Sequence, residues 1–290
     1  MVNIEIKNIT KEYKGGTKGV DDISLSIGSG VFGLLGHNGA GKTTLMKLIA
    51  TISKPTSGTI SVKGFDTVKN GDEVRRLIGY LPQELTMYPS LTVFDFVSYM
   101  GELKGIRDKK AVCGVLESVD MLEFKNRKIG QLSGGMKRRT GIAQALIGSP
   151  EILIVDEPTA GLDPEERVRF RGILSRYAKD GKTVILSTHI VEDIYQLSEQ
   201  LTVLRKGRLF FAGASGELLE RVKDKIKVIT LSDENGLIEL QKKTIVISVT
   251  YGSAGIKARI MDEGNEFDLP PEEASLEDAY IYCMGGKARE

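Results

Sequence analysis

The sequence has few cysteines and almost no net charge, and each shortage argues against a class of protein. Of 290 residues only Cys113 and Cys283 are cysteines, and they are far apart without metal-ligand spacing. This usage argues against a disulfide framework and fits a reducing compartment. The 40 basic residues balance 39 acidic ones. With basic clusters as short as Lys109-Lys110 and Lys137-Arg138-Arg139, which we expect to be solvated helix faces or local protein contacts, the balance argues against nucleic-acid binding.

Long apolar runs are also absent. No stretch of about 18 apolar residues occurs, so we expect no membrane-spanning segment. Near the N-terminus Asn3, Glu5 and Lys7 interrupt any apolar stretch, so we expect no signal peptide. Any membrane association would then go through a partner protein.

The chain does contain a glycine-rich stretch between an apolar run (31–35) and a helical pattern (45–50). The stretch is Gly36-His37-Asn38-Gly39-Ala40-Gly41-Lys42-Thr43-Thr44. A strand, a glycine-rich turn and Lys-Thr at a helix start are typical of a phosphate-binding loop. Glycines let successive N–H groups converge on phosphate oxygens, and the helix N-terminus adds partial positive charge. We expect Lys42 to reach the β- and γ-phosphates and the Thr43 hydroxyl to bind Mg²⁺.

Functional side chains also follow two strands of the buried type. The apolar run 152–155 ends in Asp156 and Glu157, and the run 182–186 ends in Ser187-Thr188-His189. Ligands of open α/β sheets bind at the carboxyl ends of strands. Asp156 is therefore a candidate to hold Mg²⁺, directly or through water, and Glu157 to act as general base on the attacking water. His189 is either structural or a hydrogen-bond partner of the γ-phosphate.

A mostly helical insertion, residues 84–150, interrupts this α/β core. Near its end Ser133, Gly134, Gly135 and Met136 precede a helix predicted over 136–147. Ser133 as an N-cap is a sufficient structural explanation for the serine. The second glycine is harder to explain in that way, and the combination favours another anion-binding corner.

The flanking regions are β-rich. Residues 2–9 and 20–27 alternate as an antiparallel pair, with Tyr13 between them as a candidate cover for the sheet edge. Short strands are predicted over 59–62 and 77–81, the second ending at Pro82-Gln83, and a hairpin over 201–212 closes the domain. Beyond residue 222, strands over 226–230 and 245–249 and a helix over 276–282 predict a small α+β appendage.

The combined motifs, from residue 2 to about 215, resemble the ATP-binding subunits of ABC transporters. The resemblance implies an α/β P-loop NTPase fold with an antiparallel β-subdomain and a helical subdomain (84–150). Together with the predicted appendage, it divides the chain into an ATP-binding domain over 1–215 and an accessory α+β domain over 222–290.

The resemblance also implies a role for each motif. It makes Glu157, His189 and Gln83 catalytic, and Thr43, Gln83 and Asp156 the Mg²⁺ site. Residues 160–163 match the D-loop, and 133–136 match the signature motif. The residues that it places on ATP are Tyr13 (stacked on adenine), Gly36, His37, Asn38, Gly39, Ala40, Gly41, Lys42, Thr43, Thr44, Ser133, Gly134, Gly135 and Asp163.

By this resemblance the chain hydrolyses ATP with Mg²⁺ and powers transport through a separate membrane permease, to which it is held on the cytoplasmic face. Two nucleotide-binding subunits, identical or different, would sandwich two ATP molecules head to tail, with no nucleic-acid partner. Met136 departs from the best-known signature, which has glutamine there. The Met form and the ending over 270–282 are similar to prokaryotic drug, peptide and bacteriocin-immunity exporters.

Two alternatives follow from the same motifs. A soluble ABC ATPase acting on nucleic acid, ribosomes or chromosomes would carry two cassettes or long coiled coils between Lys42 and Asp156, and this chain has neither. A binding-only regulatory subunit would have lost its hydrolytic residues, whereas Glu157, His189 and Gln83 are all present.

Overall fold

The computed structural model describes residues 2–179, 181–198, 200–253 and 255–285. These residues form two compact units, which we describe separately. The first extends up to Ser198 and includes Leu204–Leu209, and the second comprises 200–203 and the chain from Phe210. Of the predicted accessory domain, residues 286–290 lie outside the described residues. The predicted bounds of 1–215 and 222–290 stay a prediction.

Both units contain strands and helices. The strands are β1 (Ile4–Glu12), β2 (Lys18–Ile27), β3 (Gly30–Leu35), β4 (Ser57–Val62), β5 (Phe65–Asp66), β6 (Ile78–Leu81), β7 (Ile152–Asp156), β8 (Thr183–Thr188), β9 (Gln200–Arg205), β10 (Arg208–Ala214), β11 (Ile226–Leu231), β12 (Ile245–Gly252) and β13 (Gly255–Met261). The helices are α1 (Lys42–Ile49), α2 (Gly71–Leu77), α3 (Val93–Leu103), α4 (Lys109–Ser118), α5 (Gly134–Leu146), α6 (Pro164–Lys179), α7 (Val191–Leu197), α8 (Ser215–Glu220), α9 (Glu234–Lys243) and α10 (Leu276–Cys283).

A six-stranded sheet with the order β10-β9-β3-β8-β7-β6 brings the predicted motifs to one edge. Strands β3, β8, β7 and β6 run parallel, and all residues of β7 and β8 are buried. The register pairs Leu35 with Thr188 and Asp156 with Ser187. Because these residues end their strands, the phosphate loop, His189 and Glu157 all lie just beyond the carboxyl ends of neighbouring parallel strands.

An antiparallel sheet with the order β2-β1-β4-β5 contains the predicted β1–β2 pair. The alternation in the sequence is the cause, since Ile4, Ile6 and Ile9 are at most 2% exposed while Glu5 and Lys7 face solvent. Helix α1 contributes Leu45 and Leu48 and other apolar residues to the same core cluster, which therefore anchors the phosphate loop from behind.

The predicted helical insertion contains α3, α4 and α5, each begun by a side-chain cap from Thr92, Asp108 and Ser133. Their apolar faces bury Phe96 and Leu116 among others in one cluster. Helix α5 begins two residues earlier than predicted, because Gly134 already follows the Ser133 cap. Within the described residues, no helix combines the length and the apolar character needed to cross a bilayer.

The second unit contains an antiparallel sheet with the order β11-β13-β12, against which α9 packs Leu237 and Leu240. The sequence predicted β11, β12 and α10 but missed β13 and α9. Asn235-Gly236 inside α9 is typical of a turn. In the structure the Asp233 side chain caps this helix by accepting from Gly236 N–H, so the pair lies in the first helical turn instead.

Candidate active site

The phosphate loop joins β3 to α1 in a backbone conformation that only glycine suits. Gly41 has φ +102°, and a Cβ there would lie 2.3 Å from the carbonyl oxygen of Gly19. At Gly36 a Cβ would lie 2.7 Å from Leu204 O. Gly41 is also the N-cap of α1 and offers no side-chain cap to its first N–H groups. These N–H groups can therefore donate to an anion.

Lys42 lies almost buried at the start of α1. Its Nζ donates to the carbonyl oxygens of Gly36 (2.5 Å) and His37 (3.2 Å) and lies 3.1 Å from Glu157 Oε1. Only 5% of each side chain of this ion pair is exposed. The sequence predicted a phosphate-binding lysine and a general base separately, and the structure joins the two.

Glu157 is held from both sides in an unusual backbone conformation. Its φ is +46°, a left-handed value that is uncommon for a residue with a Cβ. Its N–H lies 3.1 Å from both Ser187 O and Ser187 Oγ. The other carboxylate oxygen, Oε2, lies 2.7 Å from His189 Nδ1. A continuous chain thus runs from Lys42 through Glu157 to His189, whose ring is half-exposed.

Asp156 is fully buried at the end of β7 with one oxygen satisfied. Ser187 Oγ donates to Oδ1 at 2.5 Å, while Oδ2 accepts no hydrogen bond from the described residues. The neighbouring Tyr80 hydroxyl is likewise buried without a partner among them. Burial, and then the charge of Asp156, raise the pKa of Tyr80, which keeps its hydroxyl protonated.

The side-chain oxygens that this chain supplies are suitable ligands for Mg²⁺. The open Asp156 Oδ2 is a hard oxygen ligand, and Thr43 places its hydroxyl in the first turn of α1. The described residues hold no group of three His, Cys, Asp or Glu side chains arranged for a metal. An ion here would take its other ligands from phosphate and water, as Mg²⁺ commonly does.

Tyr13 lies in the turn between β1 and β2 and reaches the phosphate-loop helix. Its hydroxyl is 3.1 Å from Thr44 Oγ1, and 44% of the residue is exposed. Lys11 Nζ lies 5.6 Å from the ring centroid. The ring therefore has both a solvent-exposed surface and a position beside α1, which the sheet-edge interpretation does not require.

The signature residues form the N-terminus of α5. Ser133 Oγ accepts from Met136 N–H at 3.2 Å, so the N-cap interpretation of Ser133 is confirmed. Gly135 packs against Glu166, since a Cβ there would lie 2.6 Å from its carboxyl carbon. Asp163 Oδ1 accepts from Glu166 N–H and thereby begins α6. No hydrogen bond or ion pair of the described residues joins Ser133 or Asp163 to Lys42, Glu157 or His189.

The basic cluster of α5 is the feature that sequence reasoning judged least accurately. Lys137 is exposed, but Arg138 and Arg139 are 9% and 5% exposed, so the local-contact interpretation holds for both and the solvated-face interpretation does not. Arg139 contacts Glu166, and Arg138 donates to the carbonyl oxygens of Gln83 and Glu157. The sequence could have indicated this burial, because positions 138 and 139 lie on the same helical face as the apolar residues 142 and 146. The side chain of Gln83 itself is exposed.

Comparison with known proteins gives the family. Residues 20–160 match the family model described as ABC transporter. The chain is similar to the bacitracin transport ATP-binding protein BcrA of Bacillus licheniformis, with 32% identity over 98% of this chain and 97% of BcrA. It is also similar to the daunorubicin/doxorubicin resistance ATP-binding protein DrrA of Streptomyces peucetius, with 32% identity over 82% of this chain and 73% of DrrA.

A solved structure extends the likeness to three dimensions. It is the dimeric post-hydrolysis state of the ATP-binding cassette MJ0796 bound to ADP and Pi, with a TM-score of 0.66 and 29% identity over 73% of this chain and 98% of that one. The phosphate loop and the Lys42–Glu157–His189 chain are the features of this structure that suit ATP hydrolysis. The chain belongs to the ABC transporter family as an ATP-binding subunit with ATPase activity.

Proposed function

We propose that this subunit hydrolyses ATP to power export of a drug, peptide or similar compound through a separate membrane permease. The observation that carries the hydrolytic part is the Lys42–Glu157–His189 chain beside the open oxygen of Asp156. It unites a phosphate-binding cation, a candidate base and a ligand oxygen at one edge of one sheet.

In this mechanism phosphate oxygens of ATP replace Glu157 as the partner of Lys42. The N–H groups at the start of α1 and in the loop donate to the same phosphates. Glu157 Oε1 then accepts the proton of the water that attacks the γ-phosphorus, and the P–O bond to ADP breaks, which gives ADP and phosphate. His189 holds Oε2 and donates to the γ-phosphate once Glu157 has turned toward the water.

Mg²⁺ would be held by Thr43, Asp156 and Gln83, and it would neutralise charge on the phosphates. The support from this chain is the open, buried Asp156 oxygen and the Thr43 hydroxyl. Gln83 would reach the ion from its exposed loop, either directly or through water.

Two further contacts to ATP are part of the proposal. Tyr13 would stack on adenine, supported by its exposed ring beside Thr44. In a head-to-tail dimer, Ser133, Gly134 and Gly135 would contact the nucleotide of a second subunit, with Asp163 at the subunit boundary. The exposure of Ser133 and Gly134 and the dimer seen for MJ0796 support this arrangement.

The export proposal depends on the relatives. BcrA is named for bacitracin transport, and the match covers nearly the whole length of both chains. DrrA is named for daunorubicin/doxorubicin resistance. A partner permease would hold the subunit on the cytoplasmic face of the membrane, through Gln83 and the helical insertion. The family match and the transport named for BcrA favour this role over the soluble non-transport ATPase.

The test of the hydrolytic roles is Glu157→Gln in the full-length protein. Loss of a general base lowers a rate by about 10²–10⁴-fold, whereas ATP binding does not need the Glu157 carboxylate, which the phosphates displace from Lys42. We expect steady-state ATPase to fall by that factor while the Kd for ATP does not rise above that of wild type. A variant that keeps wild-type ATPase would show that Glu157 is not the base.

The test of the sandwich is Ser133→Glu, which would place a carboxylate against the partner's γ-phosphate. In the Glu157→Gln background, ATP should drive dimerisation, and Ser133→Glu should abolish it in analytical ultracentrifugation. Lys137→Glu, exposed on the same helix, is the matched control and should leave the dimer intact. An unchanged dimer in Ser133→Glu would refute the head-to-tail arrangement.

The test of the transporter role is affinity capture of the tagged chain from gently solubilised native membranes, followed by mass spectrometry. We expect a polytopic membrane protein in stoichiometric amount. Recovery with ribosomal or nucleic-acid partners in the soluble fraction would instead support the soluble ATPase.

A further inference from the structure

Arg138 is a buried cation whose partners are all backbone carbonyl oxygens. Its guanidinium donates from Nε to Pro158 O (2.8 Å), from Nη2 to Glu157 O (2.5 Å) and from Nη1 to Gln83 O (2.8 Å) and Pro82 O (3.4 Å). No carboxylate of the described residues forms an ion pair with it. Arg139 and Arg171, by contrast, each face a carboxylate.

Burying a cation in this way is costly. Burial lowers the pKa of Arg138, opposed by the nearby charges of Asp156 and Glu157, and a guanidinium stays protonated even so. A buried charge without an ion-pair partner contributes little net stability. A fixed planar fork, however, suits the simultaneous binding of several carbonyl groups. The geometry therefore points to orientation of the carbonyl groups more than to stability.

The carbonyl groups belong to two loops that carry catalytic candidates. Pro82 and Gln83 follow β6, and Glu157 and Pro158 follow β7. Arg138 itself belongs to α5, whose first residues form the signature motif. One side chain thus connects the signature helix to both loops.

The contact with Glu157 has a direct consequence for its carboxylate. The left-handed backbone of Glu157 costs about 1–3 kcal/mol and persists only where its surroundings fix it. Ser187 holds the N–H group of Glu157, and Arg138 holds its carbonyl group. Release of either end lets the peptide rotate and moves the carboxylate away from Lys42 and His189.

We infer that Arg138 is a positioning residue that fixes Glu157 and the Gln83 loop to the signature helix. Any displacement of α5 is then transmitted to the orientation of Glu157. The inference rests on the proposed role of Glu157 as base, and it adds the element that sets the orientation of that base.

The kinetic experiment is a double-mutant cycle of Arg138→Met and Glu157→Gln in the full-length chain. Misplacing a catalytic group by about 1 Å costs on the order of 100-fold in rate, so Arg138→Met should lower kcat by about 10–100-fold with the Kd for ATP within about threefold. In the Glu157→Gln background the same substitution should lower the single-turnover rate by a clearly smaller factor, since the proposed base is gone and only the Gln83 loop still depends on Arg138. A full, multiplicative loss in that background would overturn the inference.

Arg139→Met is the matched control. It lies on the same helix, is equally buried, and pairs with Glu166 and Asp120 O, away from both loops. It should lose at least as much thermal stability as Arg138→Met, because it leaves the Glu166 carboxylate without its cation, while kcat stays within about threefold. Equal kcat losses in the two variants would mean that general destabilisation of α5 explains the effect.

Hydrogen exchange tests the connection independently of the chemistry. Arg138→Lys, with a compact ammonium that cannot span both loops, should speed exchange in peptides covering 83–86 and 157–160 together, and serves if the Met variant fails to fold. Unchanged exchange in both loops would overturn the inference even if Glu157→Gln were inactive. If exchange is faster in Arg138→Lys but Glu157→Gln keeps its ATPase activity, Arg138 does connect the two loops to α5, and Glu157 is not the base.

Discussion

Two buried aspartates, one in each unit, show how differently the two regions use charge. Asp156 in the first unit has one oxygen bound to Ser187 and one that accepts no hydrogen bond from the described residues. Asp262 in the second unit lies 2.8 Å from Lys227 Nζ and accepts from the N–H groups of Glu266 and Phe267. Since an unsatisfied buried acceptor is costly, the first pattern indicates a ligand site and the second a structural bridge.

The buried cations of the two units differ in the kind of partner and not in the number of partners. Lys227 has three partners within its own unit, Asp262, Asn265 and the carbonyl oxygen of Phe267, which fix one loop against β11. Lys42 instead contacts the carboxylate of Glu157, the proposed base, and Arg138 contacts the backbone carbonyl group of the same residue. The difference teaches that the identity of the partners, rather than burial, distinguishes the proposed active site from the accessory fold.

The sharpest test applies the same substitution to both aspartates. Asp156→Asn removes the proposed Mg²⁺ ligand, and loss of several kcal/mol of charge stabilisation should lower Mg²⁺-dependent ATPase by at least about 100-fold. Its unfolding midpoint in urea should stay unchanged or rise, because the Asn Oδ1 can still accept from Ser187 Oγ while a buried charge with one unsatisfied oxygen is removed. A strongly destabilised Asp156→Asn protein would show that Asp156, like Asp262, has a structural role.

Asp262→Asn should do the opposite. Leaving Lys227 buried without its anion should cost about 3–5 kcal/mol of stability in the second unit. The measurement is hydrogen exchange of β11 and β13 amides, which reports that unit separately. The ATPase kcat should stay within about twofold of wild type under native conditions. A loss of activity without a change in exchange would assign Asp262 a functional role.

The pH dependence sharpens the comparison further. Burial raises the pKa of Asp262, but the hydrogen bonds from Lys227, Glu266 and Phe267 together outweigh burial and hold that pKa below 3.8. A depressed folded-state pKa contributes stability that is fully present above the unfolded value and lost as pH falls through the folded one. Exchange protection of β11 and β13 should therefore fall as the pH drops below 3.8, and Asp262→Asn should flatten this dependence.

The smallest expected effect concerns Met136, the departure from the best-known signature. Its side chain is 9% exposed in the core of the helical insertion, with Sδ 4.0 Å from Arg127 Nη1. Met136→Gln should cost about 1–3 kcal/mol because it buries an amide, with kcat within about threefold. Thermal unfolding and steady-state ATPase measure both. A tenfold change in kcat at unchanged stability would mean that Met136 tunes the site directly.

Local sequence was enough for the elements that follow simple periodicity. Alternation predicted β1, β2, β11 and β12, and apolar runs predicted β7 and β8. It failed where two local signals conflict. Asn235-Gly236 indicates a turn, whereas the Asp233 cap and the packing of α9 on its sheet place the pair in a helix. Lys137-Arg138-Arg139 similarly resembles a solvated run until α5 is seen to bury two of the three.

By itself, the sequence predicted which residues are candidates for the chemistry, because a glycine loop, a buried strand ending in Asp156-Glu157 and the strand end at His189 each depend on residue type at fixed spacing. Only the tertiary structure decided how these residues connect. The Lys42–Glu157 pair, the open oxygen of Asp156 and the four carbonyl groups around Arg138 join residues far apart in the chain. Such contacts follow from strand order and register, which local patterns do not encode.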